Sequence, residues 1–221
     1  MAKTFRIGTR RSPLALKQVE EVVVALKKFY PDFNYKIVGI DTYGDKDKIT
    51  PISEIEGTDF FTKEIEEALL EGEIDFAVHS AKDLPDKIPQ GLAIAAITKS
   101  IDPYDALVSK NNLEIDKLPY GAKIGASSQR RKEQLKRYRE DFEIVDIRGN
   151  IEERLEKLET NNLDAIIVAA CALVRLGLEN RITQRLPFEI LKPHPLQGSL
   201  AIETRENDRE LIDLLGLLNE K

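Results

Sequence analysis

The sequence predicts an α/β protein with two domains. Short apolar or β-branched runs alternate along the chain with longer stretches of helical periodicity, which is typical of that class. The chain has 221 residues, which is more than one minimal hydrophobic core requires. Two proline-bearing connections divide it. We therefore expect two α/β domains, the second inserted into the first.

Eight runs are predicted to be strands because they are rich in β-branched or apolar residues and are bounded by turn formers. They are Thr4–Ile7, Lys36–Ile40, Phe76–His79, Leu92–Ile97, Lys123–Gly125, Glu143–Ile147, Ala165–Ala169 and Leu200–Thr204.

Two helix starts can be recognised from capping residues. Ser12 precedes Pro13, which predicts an N-cap followed by proline at the first helical position. Asn150 precedes Glu153 by three residues, which predicts a capping box.

Helix ends are also marked. Gly72 is expected to close an amphipathic helix over Phe60–Glu71, because glycine adopts the left-handed conformation that commonly ends helices. The last helix is expected over Arg209–Leu218.

The proline-bearing connections lie at 100–103 and 193–195, and we interpret them as paired hinge strands, since proline stiffens a link. The first domain is then discontinuous and covers 1–99 plus 196–221. The second domain covers 104–192.

Composition excludes several classes of protein. No apolar run approaches bilayer length and the N-terminus lacks signal-peptide features, so we expect a soluble, cytoplasmic and monomeric protein without membrane contact. Cys171 is the only cysteine, and His79 and His194 are the only histidines, which predicts neither a disulfide nor a metal site. The net charge of -6 argues against a nucleic-acid partner.

Arginines nevertheless gather beside turn-like segments, which indicates a small anionic ligand. In Gly8–Ala15, Arg10 and Arg11 follow a strand and precede the helix capped by Ser12, where free amides and the helix dipole attract anions. An ordinary turn with solvated arginines is the alternative.

A second motif, Val78–Pro85, follows a probable buried strand and contains Ser80, Lys82 and Asp83. Ligands bind at the carboxyl ends of strands in open α/β sheets, and an aspartate there can stabilise a cation or move a proton. Asp83 could equally cap the next turn. His79 is expected to be a structural histidine with a satisfied hydrogen bond.

Further motifs follow in the second half. A helix capped by serine follows Gly125 and carries Arg130 and Arg131 in its first turn, where the dipole repels cations unless an anion binds. After the next strand, Gly149 permits a close backbone approach, and Arg148 and Arg154 point toward one neighbourhood. Leu173–Gly177 and Leu196–Ser199 are weaker signals.

Taken together and in this order, these segments resemble the hydroxymethylbilane synthase (porphobilinogen deaminase) family. That family's pattern includes GTRxSPLA, GKGLFxKE, VHSxKDxP, DPRDALV-like, GTSSxRR, DxRGNxxxRL, GLxRLGL and QGxLAIE segments. The likeness runs from residue 6 to about residue 205.

The resemblance implies two periplasmic-binding-protein-like domains of type II and a small third domain. It also implies the condensation of four porphobilinogen units, with release of ammonia, onto a covalent dipyrromethane cofactor in a cleft between the first two domains. Asp83 matches the family's catalytic aspartate, which stabilises the azafulvene cation. Six arginines match residues that bind acetate and propionate groups: Arg10, Arg130, Arg131, Arg148, Arg154 and Arg175. Supporting positions match Ser12, Ser80, Lys82, Ser127, Ser128 and Gln197.

The chain departs from the family in three places. The family's cofactor-tethering cysteine belongs to the third domain, which has no counterpart before Lys221, and Cys171 is interpreted as a buried small residue. The GKGLF segment has become Gly57-Thr58-Asp59-Phe60-Phe61. If this loop pointed inward, it would weaken polycarboxylate binding by about 1–3 kcal/mol, although we favour Asp59 as a helix N-cap. Ala172 also replaces a usual glycine.

Three explanations of the missing domain stay open. It is encoded on a separate polypeptide, the sequence is cut at a domain boundary, or the protein is a divergent relative that binds tetrapyrrole precursors without a covalent primer. Catalysis by a synthase is the leading hypothesis. Its rival is a non-catalytic or split-subunit binding module for pyrrole polycarboxylates.

Overall fold

The computed structural model describes residues 3–47, 50 and 58–219, which form two compact units. Unit 1 contains the described residues of 3–47, 58–101 and 199–219, and unit 2 contains Thr50 and residues 102–198. Each unit has its own five-stranded mixed sheet with helices, so the α/β prediction is confirmed. The domain bounds taken from the sequence stay a prediction.

The strands of unit 1 are β1 (Thr4–Arg10), β2 (Asn34–Ile40), β3 (Phe76–Ser80), β4 (Leu92–Ile97) and β10 (Leu200–Arg205), in the order β2-β1-β3-β10-β4. Strand β1 runs parallel to β2 and β3, and β10 runs antiparallel to β3 and β4. The helices are α1 (Pro13–Lys27), α2 (Tyr43–Lys46), α3 (Lys63–Leu70) and α7 (Arg209–Gly216).

Helices cover both faces of this sheet. On one face, Val19 and Leu26 of α1 and Leu215 of α7 pack with Ile7 and Phe76 of the sheet. On the other face, α3 packs through Ile65 and Leu69 against Ile74 and Ala77. Burying each large apolar side chain contributes about 1.5–3 kcal/mol, so the two layers hold the ends of β1 and β3 firmly in register.

The strands of unit 2 are β5 (Asp105–Ser109), β6 (Lys123–Gly125), β7 (Glu143–Val145), β8 (Ala165–Ala169) and β9 (Gln184–Arg185), in the order β7-β6-β8-β5-β9. Its helices are α4 (Gln129–Tyr138), α5 (Ile151–Thr160) and α6 (Ala170–Arg175). The core includes Leu107, Ile124, Leu135, Phe142 and Ile167, all fully buried.

All eight predicted strands are present, although β7 ends at Val145 rather than Ile147. Strands β5 and β9 were not predicted. Strand β9 has only two residues, and β5 begins with a charged residue after a proline-bearing segment, so neither shows strong β periodicity. Long-range pairing with β8 and β9 stabilises β5.

Both predicted N-terminal caps are confirmed. The Ser12 hydroxyl accepts a hydrogen bond from the Ala15 amide at 3.2 Å. In the capping box, the Glu153 amide donates to Asn150 Oδ1 at 2.8 Å, and the Asn150 amide donates to Glu153 Oε2 at 2.9 Å.

The start of α3 corrects two expectations. The helix begins at Lys63 rather than Phe60, and its N-cap is Thr62, so the assignment of Asp59 as N-cap is wrong. The amides of Thr62 and Lys63 instead donate to the backbone carbonyl of Asp59, which forms a turn before the helix. Gly72 lies just beyond the helix at φ +72°, as predicted.

The two proline-bearing connections are not strands, which corrects the expectation of paired hinge strands. Prolines lack the amide donor that a sheet ladder requires. The chain passes from unit 1 to unit 2 between Ile101 and Asp102, and it returns to unit 1 between Gly198 and Ser199. No helix among the described residues is long and apolar enough to span a bilayer.

Candidate functional site

Unit 1 carries a pocket where its two central parallel strands end. Because β1 and β3 run in the same direction, the segments that follow them meet at one edge of the sheet. The pocket there is small, with a cavity volume of about 60 Å³. Its polar lining comprises Thr9, Arg10, Ser12, Gln18, Thr62, His79, Ser80 and Asp83. The structure therefore brings together four predicted site residues from two separate motifs.

Arg10 is held in a fixed orientation by a carboxylate and an aromatic ring. Its Nε lies 3.1 Å from Asp45 Oδ1, and its guanidinium carbon lies 4.5 Å from the centre of the Phe61 ring. Burial disfavours the charged form of Asp45, but the hydrogen bond and charge of Arg10 outweigh this and lower the pKa of Asp45. Arg10 thus enters the pocket pre-oriented, with part of its charge already balanced.

The Arg10–Asp45 pair predicts a loss of stability in acid. A depressed pKa in the folded state means that the contribution of Asp45 is present above its ordinary value of 3.8 and is lost as the pH falls through the lower folded pKa. We expect Asp45→Asn to flatten this acid dependence and to remove about 1 kcal/mol of stability at pH 5–7. Urea unfolding of both proteins between about pH 7 and pH 2 measures how the free energy of unfolding depends on pH.

A matched control is Asp41→Asn. Asp41 pairs with Arg11 at 3.2 Å, but both side chains of that pair are exposed, and solvent screens such pairs. Its unfolding curve should follow that of the unchanged protein. Equal acid dependence in Asp45→Asn and the unchanged protein would show that the pair contributes no stability.

Two serines line the pocket with defined partners. The hydroxyl of Ser12 caps α1, and the hydroxyl of Ser80 accepts a hydrogen bond from Gln18 Nε2 at 2.8 Å. Sequence reasoning missed Gln18, which is 4% exposed. A polar residue on the buried face of an amphipathic helix was the signal that could have revealed it.

Asp83 lies at the end of a 3₁₀ turn, Ala81–Asp83, and lines the pocket. The turn is anchored by a hydrogen bond from the Ala81 amide to the Ser199 carbonyl at 3.1 Å. Among residues 3–47, 50 and 58–219, none makes a hydrogen bond or ion pair with the Asp83 carboxylate, so the capping alternative has no support. Lys82 is partly exposed and is not among the residues that line the pocket.

His79 has the satisfied hydrogen bond that was expected of a structural histidine. Its Nε2 lies 3.1 Å from Oε2 of Glu203 on β10, and both side chains are buried.

Unit 2 groups its adjacent arginines around one buried carboxylate. Asp105 is 0% exposed and accepts hydrogen bonds from Arg131 Nη2 at 2.5 Å, Arg130 Nη2 at 2.8 Å and Gln197 Nε2 at 3.0 Å. The sequence argument that these arginines require a bound anion is therefore corrected, because Asp105 supplies an internal one. Asp105 was missed because its partners lie far along the chain.

The serines of this motif also have structural partners. Ser127 donates to the Ile147 carbonyl at 2.6 Å, and Ser128 caps α4 by accepting from the Arg131 amide at 3.3 Å. The Ser127 bond joins the segment after β6 to the segment after β7, whereas the Ser128 bond is local to the start of α4.

The remaining site residues lie at loops and helix ends of unit 2. Arg148 Nη1 donates to the Thr50 carbonyl, Arg154 Nε to the Gly149 carbonyl, and Arg175 Nη2 to the Gly198 carbonyl, each at 2.8 Å. Gly149 has φ +113°, and a Cβ there would lie 2.4 Å from Glu153 Oε2. Glycine is therefore required where the chain turns between Arg148 and Arg154.

The departures from the family pattern are placed as follows. Thr58 and Asp59 are exposed and do not line the unit 1 pocket, whereas Gly57 lies outside the described residues. Ala172 and Cys171 are both 5% exposed within α6, so Cys171 is a buried small residue, as expected.

Comparison with known families and proteins gives a consistent answer. Residues 5–213 match the family model described as "Porphobilinogen deaminase, dipyromethane cofactor binding domain". The porphobilinogen deaminase of Natranaerobius thermophilus is 49% identical over 217 residues, covering 98% of this chain and 70% of that protein. That of Brevibacillus brevis is 47% identical over 211 residues, covering 96% of this chain and 68% of that protein.

Solved structures with low identity show the fold. The methionine-binding protein MetQ superposes with a TM-score of 0.58 at 14% identity, covering 97% of this chain and 89% of that one. The probable amino-acid transporter binding protein ytmK of Bacillus subtilis gives 0.55 at 14% identity, covering 99% and 90%. The predicted periplasmic-binding-protein-like fold is confirmed.

Proposed function

Since the chain belongs to the porphobilinogen deaminase family, we propose that it joins four porphobilinogen units head to tail into hydroxymethylbilane, with release of ammonia. This is a transferase reaction of tetrapyrrole biosynthesis. The observation that carries the proposal is the Asp83 carboxylate, which lines a pocket together with Arg10, Ser12 and Ser80 and has no protein partner among the described residues.

The chemistry of the pocket suits a pyrrole that bears carboxylates. A guanidinium recognises acetate or propionate through charge-assisted hydrogen bonds, each contributing about 1.5–3 kcal/mol. The amide end of α1 adds positive potential beside Arg10. A carboxylate such as Asp83 accepts pyrrole N–H groups. The same donors fit dipyrromethane, the cofactor of the matched family domain.

Asp83 acts where positive charge develops. When the C–N bond of the protonated aminomethyl group breaks, ammonia leaves with the bonding electron pair and the positive charge passes from the ammonium group to the pyrrole. A fixed carboxylate that accepts the pyrrole N–H stabilises the ring cation more than the substrate, whose charge lies outside the ring, which lowers the barrier. Dipyrromethane, when bound, supplies the terminal pyrrole carbon that accepts the first unit. To Lys82, which precedes Asp83 but lies outside the pocket lining, we assign the exchange of a proton beside Asp83.

The unit 2 residues bind further carboxylates of the growing chain. Arg130 is the more exposed of the two arginines paired with Asp105, and it lies at the amide end of α4. We assign the same role to Arg148, Arg154, Arg175 and Gln197, with Ser127, Ser128 and Gly149 shaping the backbone around them. We also propose that the protein is a cytoplasmic monomer whose partner is the small-molecule substrate porphobilinogen.

A second candidate function is binding of pyrrole polycarboxylates without catalysis, alone or with a separate third-domain polypeptide. Cys171 is buried in α6, so its thiol is poorly placed to tether a cofactor, and this function requires no tether there.

Calorimetry combined with an ammonia assay separates the two functions. The purified chain is titrated with dipyrromethane and then supplied with porphobilinogen. Transferase activity predicts saturable binding of dipyrromethane and one ammonia released per porphobilinogen consumed. Saturable binding without ammonia supports the binding module instead, and no binding contradicts both.

A further inference from the structure

Beside the unit 1 pocket lie three buried ionisable side chains, two glutamates and a histidine, to which the proposed reaction assigns no role. Glu66 of α3 is 3% exposed, Glu203 of β10 is 0% exposed, and His79 of β3 is 6% exposed. His79 lines the pocket and makes its hydrogen bond to Glu203 on the side away from β1.

The two carboxyl groups differ in their partners. Oε2 of Glu203 lies 3.1 Å from His79 Nε2, whereas Oε1 of Glu203 and Oε1 of Glu66 are both buried without a hydrogen bond from a described residue. An ionised carboxylate that is buried with an unpaired oxygen is costly, and two buried carboxylates close together repel each other. One of the two should therefore hold a proton.

The surroundings of the two carboxyl groups indicate that Glu66 is the one that holds the proton. Burial raises the pKa of Glu66, and the negative charge of Glu203 raises it further, although a hydrogen bond from Thr62 and the proximity of His79 oppose the shift. The negative charge of Asp59 also raises the pKa of Glu66, by less than the charge of Glu203 does. Glu203 has the His79 imidazole as a partner at 3.1 Å, whereas Oε1 of Glu66 has no hydrogen bond from a described residue.

We propose that Glu66, His79 and Glu203 form a positioning network in which Glu66 holds the proton and Glu203 anchors His79, so that the end of β3 presents Ser80 and Asp83 to the pocket. The role of this network rests on the proposed function. Ser80 follows His79 directly, and Thr62, which bonds to Glu66, lines the same pocket. Both pocket walls are thus tied to this network.

The test compares two isosteric substitutions. Glu66→Gln replaces a neutral acid by a neutral amide, so kcat for ammonia release should stay within about twofold and folding stability should not fall. Glu203→Gln removes the carboxylate that holds His79 and should lower kcat about tenfold with little change in KM, because it displaces Asp83 rather than the carboxylate-binding groups. Glu67→Gln, an exposed position on the same helix, is the control.

Infrared spectroscopy tests the protonation state without any enzyme assay. The unchanged protein at neutral pH should show a protonated carboxylic-acid carbonyl band that Glu66→Gln lacks and Glu67→Gln retains. Absence of that band in the unchanged protein would overturn the proposal even if porphobilinogen is consumed. Equal damage by Glu66→Gln and Glu203→Gln, or a normal kcat in a folded Glu203→Gln variant, would also overturn it.

Discussion

Asp83→Ala is expected to lower the rate of ammonia release from porphobilinogen by about 10²–10³-fold, the effect of removing one preorganised group that stabilises transition-state charge. The loss should fall mainly on kcat. The arginine and serine side chains that we propose bind the substrate carboxylates remain, whereas the cation formed on departure of ammonia loses the one acidic side chain among the described residues that line the pocket.

The substitution should leave the fold intact. No described residue bonds to the Asp83 carboxylate, so its removal breaks no internal contact among residues 3–47, 50 and 58–219. Asp86→Ala is the matched control, because Asp86 lies three residues further on, is exposed and does not line the pocket. The assay follows porphobilinogen consumption with dipyrromethane as acceptor. Undiminished turnover in Asp83→Ala would remove Asp83 from the mechanism.

The second large effect is expected at Asp105. Removing one partner of a buried ion pair leaves an uncompensated charge and costs about 3–5 kcal/mol. Asp105→Ala would strand Arg131, which is 5% exposed, and would also release Arg130 and Gln197. We expect the free energy of unfolding to fall by that amount, and dipyrromethane binding to weaken because Arg130 loses its orientation.

Urea unfolding and calorimetry measure the two consequences separately. The control is Glu143→Ala in the same unit, since Glu143 pairs with Lys123 at 3.4 Å and both side chains are exposed. Exposed pairs contribute about 0–1 kcal/mol, so this control should unfold almost normally. An Asp105→Ala variant as stable as Glu143→Ala would show that Asp105 does not organise the arginines.

Local features of the fold could be predicted from the sequence because their signals are local. Ser12 and Asn150 bond to amides three residues away, and Gly72 needs only its own φ angle. Strands such as Ala165–Ala169 are apolar throughout, so their composition alone predicts a buried strand. By contrast, β9 depends on pairing with β5 rather than on its own two residues.

The site was only partly predictable for the same reason. The motifs around Arg10, Asp83 and Arg130 could be recognised as segments. Their internal partners could not, because the partners are distant in sequence: Asp105 is 26 residues from Arg131, and Glu203 is 124 residues from His79. Counting arginines in the sequence therefore overestimates the charge available to a ligand, since Asp45 and Asp105 already balance part of it.

A crystal structure of the chain with dipyrromethane tests the central claim most directly. The account predicts a pyrrole ring in the unit 1 pocket, with its nitrogen about 2.7–3.2 Å from an Asp83 carboxylate oxygen and a ring carboxylate on Arg10. Dipyrromethane bound elsewhere, with no pyrrole nitrogen within hydrogen-bond distance of Asp83, would contradict it.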